Sequence, residues 1–306
     1  MPKFEVLSAA AIARRAYWID EIVKVSGRFG EDTSRIEAEL KAEIERDGVT
    51  ALTDHLRLCG SIPEHFGHDT SEEKLYSKYT DVLLAAVFSY IGLTSLVILE
   101  RADAADVEAV GKNYSLVADA KAFRLSRTAK NQKDFKVDAM HGWKRGKLHA
   151  LVVCPIYQLP ARTSQIYQQA IARKVCIFTY SHLAVLVSFC GQSDGRSAQD
   201  LLLAVLGCAE SLNPTKSSVA YWACINHAML DFDSAIAQLW GIEKIATLKA
   251  VSLLKDEALT FLAKQREAIM KMSREDAITH LIRDKNIAGR EAKIRSLGDN
   301  KIFSIA

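Results

Sequence analysis

The chain has 306 residues, 49% of them hydrophobic, enough for one large domain or for a core with a helical appendage. A net charge of +3 and a pI near 8.4 exclude a uniformly cationic nucleic-acid binder, although a DNA enzyme can confine its positive charge to one cleft. The six cysteines never approach one another as Cys-x-x-Cys, which leaves a zinc site without support. Most of them lie in apolar runs such as those around Cys154 and Cys176, where buried free thiols and a reducing cytoplasm are the expectation.

Taken from the start, residues 4–26 read as an amphipathic helix ending near Gly27. Glu5, Arg14 and Arg15 interrupt its apolar residues, so no signal peptide is expected. Ser34 and Glu37 have the spacing of a capping box and predict a second helix that stops at Asp47-Gly48, with a short helix from about 50 to Leu58. Residues 60–67, with Pro63, read as a loop. Thr70 and Glu73 repeat the capping spacing ahead of a long helix with Leu75, Tyr79, Val82 and Ala86 on one face. The uncharged run from Val82 to Leu99 is long enough for a membrane span, but Gly92, Thr94 and Ser95 break it into a buried helix, a turn and a core strand. No membrane is expected as a partner. Residues 106–121 then read as a β-hairpin: Val107–Val110 alternates, Gly111-Lys112-Asn113 turns, and a second strand carries Asp119.

Strands at 148–154 and 175–180 alternate with helices at 164–172 and from Ser181 to Phe189, which predicts a mixed sheet covered on both faces. Beyond about residue 199 the pattern is helical. Leu248, Val251, Leu254, Ala258, Phe261 and Leu262 form one apolar stripe, and Ser273 with Asp276 caps a further helix. The expectation is one compact domain over 1–306: a helical part to 69, an α/β core over 70–190 and a helical part over 191–306.

The chemistry is concentrated between Tyr114 and Lys136. Asp119 and Lys121, two apart on a strand, leave the same face. The hairpin brings Asp106 near Asp119. Two carboxylates and an ammonium beside a cationic segment suit phosphodiester hydrolysis with Mg²⁺, one or two ions per site. Asp106, Asp119 and the Ala120 carbonyl are candidate ligands of one ion, with Glu73 or the phosphate helping Asp119 to hold a second. Lys121 would orient the attacking water or meet the charge of the transition state. Arg124, Arg127, Lys130 and Lys136 read as a phosphate-contacting set, Ser126 as a further DNA-binding residue, and Asn131, Gln132, Lys133 and Asp134 as readers of base edges. Asp-x-Lys alone is a weak signal, equally consistent with a surface ion pair. His141, His149 and His182 show no metal spacing, and Trp143, Trp222 and Trp240 read as core or interface.

The run LVADAKAFRLSRTAKNQKDFKV closely resembles the active-site region of the HindIII type II restriction endonuclease family, which has the PD-(D/E)xK fold. Thinner likeness in SEEKLYSK, SQIYQQAI, SHLAVL and REDAITHLIRDKN extends the resemblance over most of the chain, the first sixty residues matching poorly. The resemblance implies an α/β fold with a five-stranded mixed sheet flanked by helices. It also implies a homodimer that binds double-stranded DNA and cuts AAGCTT after the first A with Mg²⁺. By position, Asp106 takes the place of the first acid of the motif, Asp119 the second and Lys121 the lysine. Ala105 stands where the motif has proline, and the hairpin is shorter, so Glu100 competes with Asp106 for the first acid.

Overall fold

The computed structural model describes residues 7–98, 103–127, 132–192 and 197–295. Two compact units divide it, Met1–Ala258 and Leu259–Ala306.

In the first unit, α1 (Ala9–Ile22) starts where the Ser8 hydroxyl accepts from the Ala11 N–H. Helix α2 (Phe29–Leu58) differs from expectation at both ends of its first half. It begins at Phe29, and the Ser34 hydroxyl donates to the Gly30 carbonyl inside the helix, so Ser34 is no cap. Gly48 bends the helix (φ 57°, ψ −132°) where a stop is predicted; only a residue without Cβ takes this conformation cheaply. Helix α3 (Ser71–Tyr90) starts as predicted, with Thr70 Oγ1 accepting from the Glu73 N–H. Its buried residues, among them Leu75, Tyr79, Val82 and Val87, pack it across one face of the sheet.

The sheet is mixed and five-stranded, in the order β1 (Thr94–Val97), β2 (Val107–Val110), β3 (Ser115–Ala120), β4 (His149–Cys154), β5 (Cys176–Thr179). The first three strands are antiparallel, and β3, β4 and β5 run parallel. Strand β1 is an edge strand with Leu96 54% exposed, where the sequence suggested a core strand. Strands β4 and β5 are buried almost throughout, because helices cover both faces there. Between β3 and β4 lie α4 (Gln132–Phe135) and α5 (Val137–Trp143), and between β4 and β5 lies α6 (Gln165–Arg173).

Helix α7 (Tyr180–Cys190) is capped by Thr179, which accepts from the His182 N–H; Ser181, the predicted cap, instead faces the Thr247 hydroxyl at 2.9 Å. Helices α8 (Ala198–Ser211) and α9 (Ser218–Leu230) follow, joined by a disulfide between Cys208 and Cys224, where free thiols were the general expectation. Cys59, Cys154 and Cys176 are buried free thiols. Helix α10 (Ala235–Met270) buries Ile236, Leu239, Glu243, Ala246, Ala250 and Leu254. The predicted stripe is therefore misplaced: only Leu254 of it is in the core, and Leu248 is 72% exposed. No described helix is long and apolar enough to cross a membrane.

The second unit holds the end of α10 with α11 (Arg274–Asp284) and α12 (Ile287–Arg295). Ser273 caps α11 as predicted, accepting from the Asp276 N–H.

His182 illustrates how the core treats a titratable group. Its ring lies between Trp222 and Trp240, Nδ1 is 2.6 Å from Thr179 Oγ1, and Nε2 is 3.0 Å from Asn226 Oδ1. Burial pushes its pKa down to about 4. The unfolded chain, with an ordinary value near 6.5, binds the proton first, so the contribution of neutral His182 is complete above about pH 6.5 and is lost as pH falls toward 4. Between pH 7 and 5 the protein is expected to lose about 2 kcal/mol more stability than a His182→Gln variant. Urea unfolding of both at the two pH values measures this, and equal losses would refute it.

Candidate active site at the end of β3

The pairing of Val107 with Ala118 fixes the site. One step further along this antiparallel register, Asp106 stands opposite Asp119, and an acid at the start of β2 meets an acid near the end of β3. The Lys121 N–H continues the pairing with β4 by donating to the Val153 carbonyl at 2.7 Å, which keeps Lys121 on the Asp119 face. The Tyr180 hydroxyl donates to the Lys121 carbonyl at 3.1 Å. Asp119 is 1% exposed and forms an ion pair with Lys121. Both Asp119 oxygens are buried, and apart from that ion pair neither has a hydrogen-bond partner of normal geometry.

The two acids respond differently to one environment. Burial, then the adjacent Asp119, pushes the Asp106 carboxyl up to about 7. For Asp119 burial also acts upward, but the Lys121 ammonium and then Asp106 outweigh it and hold the pKa below the ordinary value. The two carboxyls titrate as a pair, with Asp106 pushed up and Asp119 held down.

Helix α3 lays its polar face on this corner. Lys78 Nζ is 3.2 Å from Asp81 and 3.8 Å from Asp106. Asp81 is 3% exposed, and burial followed by repulsion from Asp106 drives its pKa well above the ordinary value. Together these groups line an open cleft of about 510 Å³, with Lys74, Ala120, Arg127, Lys133 and Lys136 among its other walls.

Oxygen donors of this kind suit a hard divalent cation. Among the described residues no three His, Cys, Asp or Glu side chains are grouped to hold a metal ion. Two carboxylates with a neighbouring carbonyl nonetheless fit Mg²⁺, which keeps several of its waters, and the unsatisfied oxygens of buried Asp119 are donors in need of a partner. Asp106, Asp119 and Ala120 are placed to serve. Glu73 is not: its carboxylate pairs with Arg124 at 2.7 Å and accepts from the Asp69 N–H, and it does not line the cleft. Glu100 lies outside the described residues.

The model of the HindIII restriction endonuclease family matches residues 15–298. The type II restriction enzyme HindIII of Haemophilus influenzae is 36% identical over 264 residues, covering 83% of this chain and 85% of that protein. The chain belongs to the HindIII restriction endonuclease family. Membership fixes the class of enzyme, a site-specific deoxyribonuclease, and with it the meaning of a cationic cleft around buried acids.

For a restriction endonuclease of this family, the segment after β3 is partly internal scaffolding rather than a free cationic arm. Arg124 donates to the Phe66 and Gly67 carbonyls at 2.7 and 2.8 Å and pairs with Glu73, while Gln158 donates to its carbonyl. Ser126 donates through its N–H and hydroxyl to Glu64. Arg124 was expected on a phosphate and Ser126 among the DNA contacts; both instead tie the loop at 60–67 to the end of β3. In the same seam Phe123 exchanges backbone hydrogen bonds with Gly60 and Ile62. A Cβ on Gly60 would stand 2.7 Å from Pro155, so this close approach requires glycine.

Arg127 lies over Phe123 and pairs with Asp134, so Asp134 is engaged within the chain as well. Lys133 and Lys136 line the cleft, Lys136 with a left-handed backbone (φ 45°) and its ammonium 5.6 Å from the centre of the Trp143 ring. Lys130 and Asn131, and the side chain of Gln132, are outside what the structure describes.

Arg124→Met is accordingly expected to cost about 1–3 kcal/mol of stability by stranding Glu73 and two carbonyls. The salt dependence of DNA binding should hardly change, whereas Lys136→Ala should lower that slope by about one. Urea unfolding and salt titrations of DNA binding test both, and a lowered slope for Arg124→Met would return it to the phosphate contacts.

Sequence reasoning missed Lys78 and Asp81. Their signal was two opposite charges three apart, off the stripe of α3 that had been assigned to the core, with Asp81 at the start of the helix's apolar second half.

Proposed function

We propose that this enzyme hydrolyses both strands of double-stranded DNA at AAGCTT, after the first A, in a Mg²⁺-dependent reaction carried out by a homodimer in the cytoplasm. The observation that carries the reading is the convergence of Asp106, Asp119 and Lys121 in one cleft that Lys133 and Lys136 also line. Likeness of the segment from Leu116 to Val137 to the active-site region of the family supports the same target sequence.

In this reading Asp106, Asp119 and the Ala120 carbonyl would hold the ion. Bound Mg²⁺ supplies charge neutralisation and a water of lowered pKa. The Lys121 ammonium, fixed by its pairing with Asp119, meets the negative charge that gathers on the scissile phosphate. Lys136 holds the backbone in register, and Asn131, Gln132 and Lys133 are the base readers retained from the sequence. A palindrome presents two-fold-related half-sites, so a two-fold dimer brings one such site to each strand.

Digestion of a plasmid of known sequence with Mg²⁺, followed by sequencing of the ends, tests the proposal. Cuts confined to AAGCTT with 5′-AGCT overhangs are expected. Cuts elsewhere would assign a different target, and DNA retention without cleavage in either Mg²⁺ or Mn²⁺ would leave a silent binding module.

A further inference from the structure

The acids of the cleft have a second basic partner that the proposed function does not use. Asp106 lies between two neighbours: Asp119 across the hairpin, and the Lys78 ammonium at 3.8 Å, which also lies 3.2 Å from Asp81. Among the described residues Lys78 is the only ion-pair partner of Asp81, and the side chain of Asp81 is 4% exposed. Lys78 and Asp81 are three apart on α3, so the helix presents them together, and the packing of α3 on the sheet delivers both to Asp106.

Sites that hold two ions for phosphodiester hydrolysis place them about 3.5–4 Å apart around a shared acid. Asp106 is positioned as such a shared acid, but on its α3 side a cation is already built into the chain. We propose that, in the DNA-free protein, the Lys78 ammonium takes the place of a second divalent ion between Asp81 and Asp106, so that each chain loads a single ion at Asp106 and Asp119. The inference rests on the assignment of those two acids as ligands.

Charge and distance both favour it. Even with all three carboxylates ionised, the two ammonium groups leave the cluster a single negative charge, which one divalent ion more than cancels. A second ion would add two further positive charges in a largely buried corner, where like charges repel strongly. Mg²⁺ draws its oxygens to about 2.0–2.1 Å, whereas the ammonium sits at 3.2 Å from Asp81 and 3.8 Å from Asp106, in the space a second ion would need.

Mn²⁺ binding to the DNA-free protein, counted by electron paramagnetic resonance, tests the proposal without reference to cleavage. About one ion per chain is expected for the natural protein and for Lys78→Arg, and about two for Lys78→Gln. Adding Asp81→Asn to Lys78→Gln should return the count to about one. A second ion of comparable affinity in the natural protein, or no second ion in Lys78→Gln, would overturn the assignment. Asp81→Asn alone keeps the ammonium and should leave the single ion in place; its loss would make Asp81 a ligand and also overturn it. Asp119→Asn separates the two levels of the argument. If it leaves Mn²⁺ binding intact, the ligand assignment itself fails; if it removes the ion while Lys78→Gln adds none, only the role of Lys78 fails.

Discussion

Asp119→Asn should lower single-turnover cleavage by about 10³-fold or more while leaving DNA binding intact. The size follows from where the side chain sits. Asp119 is buried, its oxygens have no hydrogen-bond partner of normal geometry, and its pKa is held below the ordinary value chiefly by Lys121 working against burial. The protein therefore maintains an anion at a place where burial alone would neutralise it, as a metal ligand requires. An amide has nearly the same shape but neither the charge nor two equivalent acceptors, so it keeps the fold of β3 and loses the affinity for a hard cation. Binding to DNA depends on cleft lysines that the substitution does not touch, and removal of a negative charge favours it. Gel-shift titration beside a plasmid cleavage assay makes the comparison. Cleavage within tenfold of the natural rate, or a parallel loss of binding, would remove Asp119 from the catalytic centre.

What could be read in the sequence was what depends on near neighbours along the chain. Thr70 caps α3 because a hydroxyl and an amide three residues apart meet whatever the rest of the fold does. The hairpin of β2 and β3 was legible from alternation around Gly111-Lys112-Asn113, and its register then places Asp106 opposite Asp119. Partners distant in sequence were not legible. Arg124 and Ser126 resemble their basic and polar neighbours on the page, yet their charges and donors are taken up by Glu73 in the first turn of α3 and by Glu64 in the loop before it, both far upstream in the chain. Lys78 and Asp81 became site residues only because α3 crosses the sheet with its polar face over the acids, a packing that no local pattern encodes. The same limit explains α10, where helical periodicity located an apolar stripe but the core takes up a different face.

Lys121→Met separates catalysis from metal loading at the same corner. The methionine keeps the unbranched stem and the backbone bonds of Lys121 to Tyr180 and Val153, but removes the ammonium paired with Asp119. A fall of about 10²–10³-fold in the rate of the chemical step is expected, the effect of removing one preorganised charge directed at a developing anion. Mn²⁺ should still bind, because Asp106 and Asp119 remain and the ion itself compensates the charge that Lys121 supplied. Asp119→Asn thus loses the ion and the rate together, whereas Lys121→Met keeps the ion and loses the rate. Single-turnover cleavage at saturating Mn²⁺ distinguishes the two. If rising Mn²⁺ restores Lys121→Met to near the natural rate, the ammonium only shields Asp119 and takes no part in stabilising the phosphate; if the deficit persists at saturation, it acts on the reacting group.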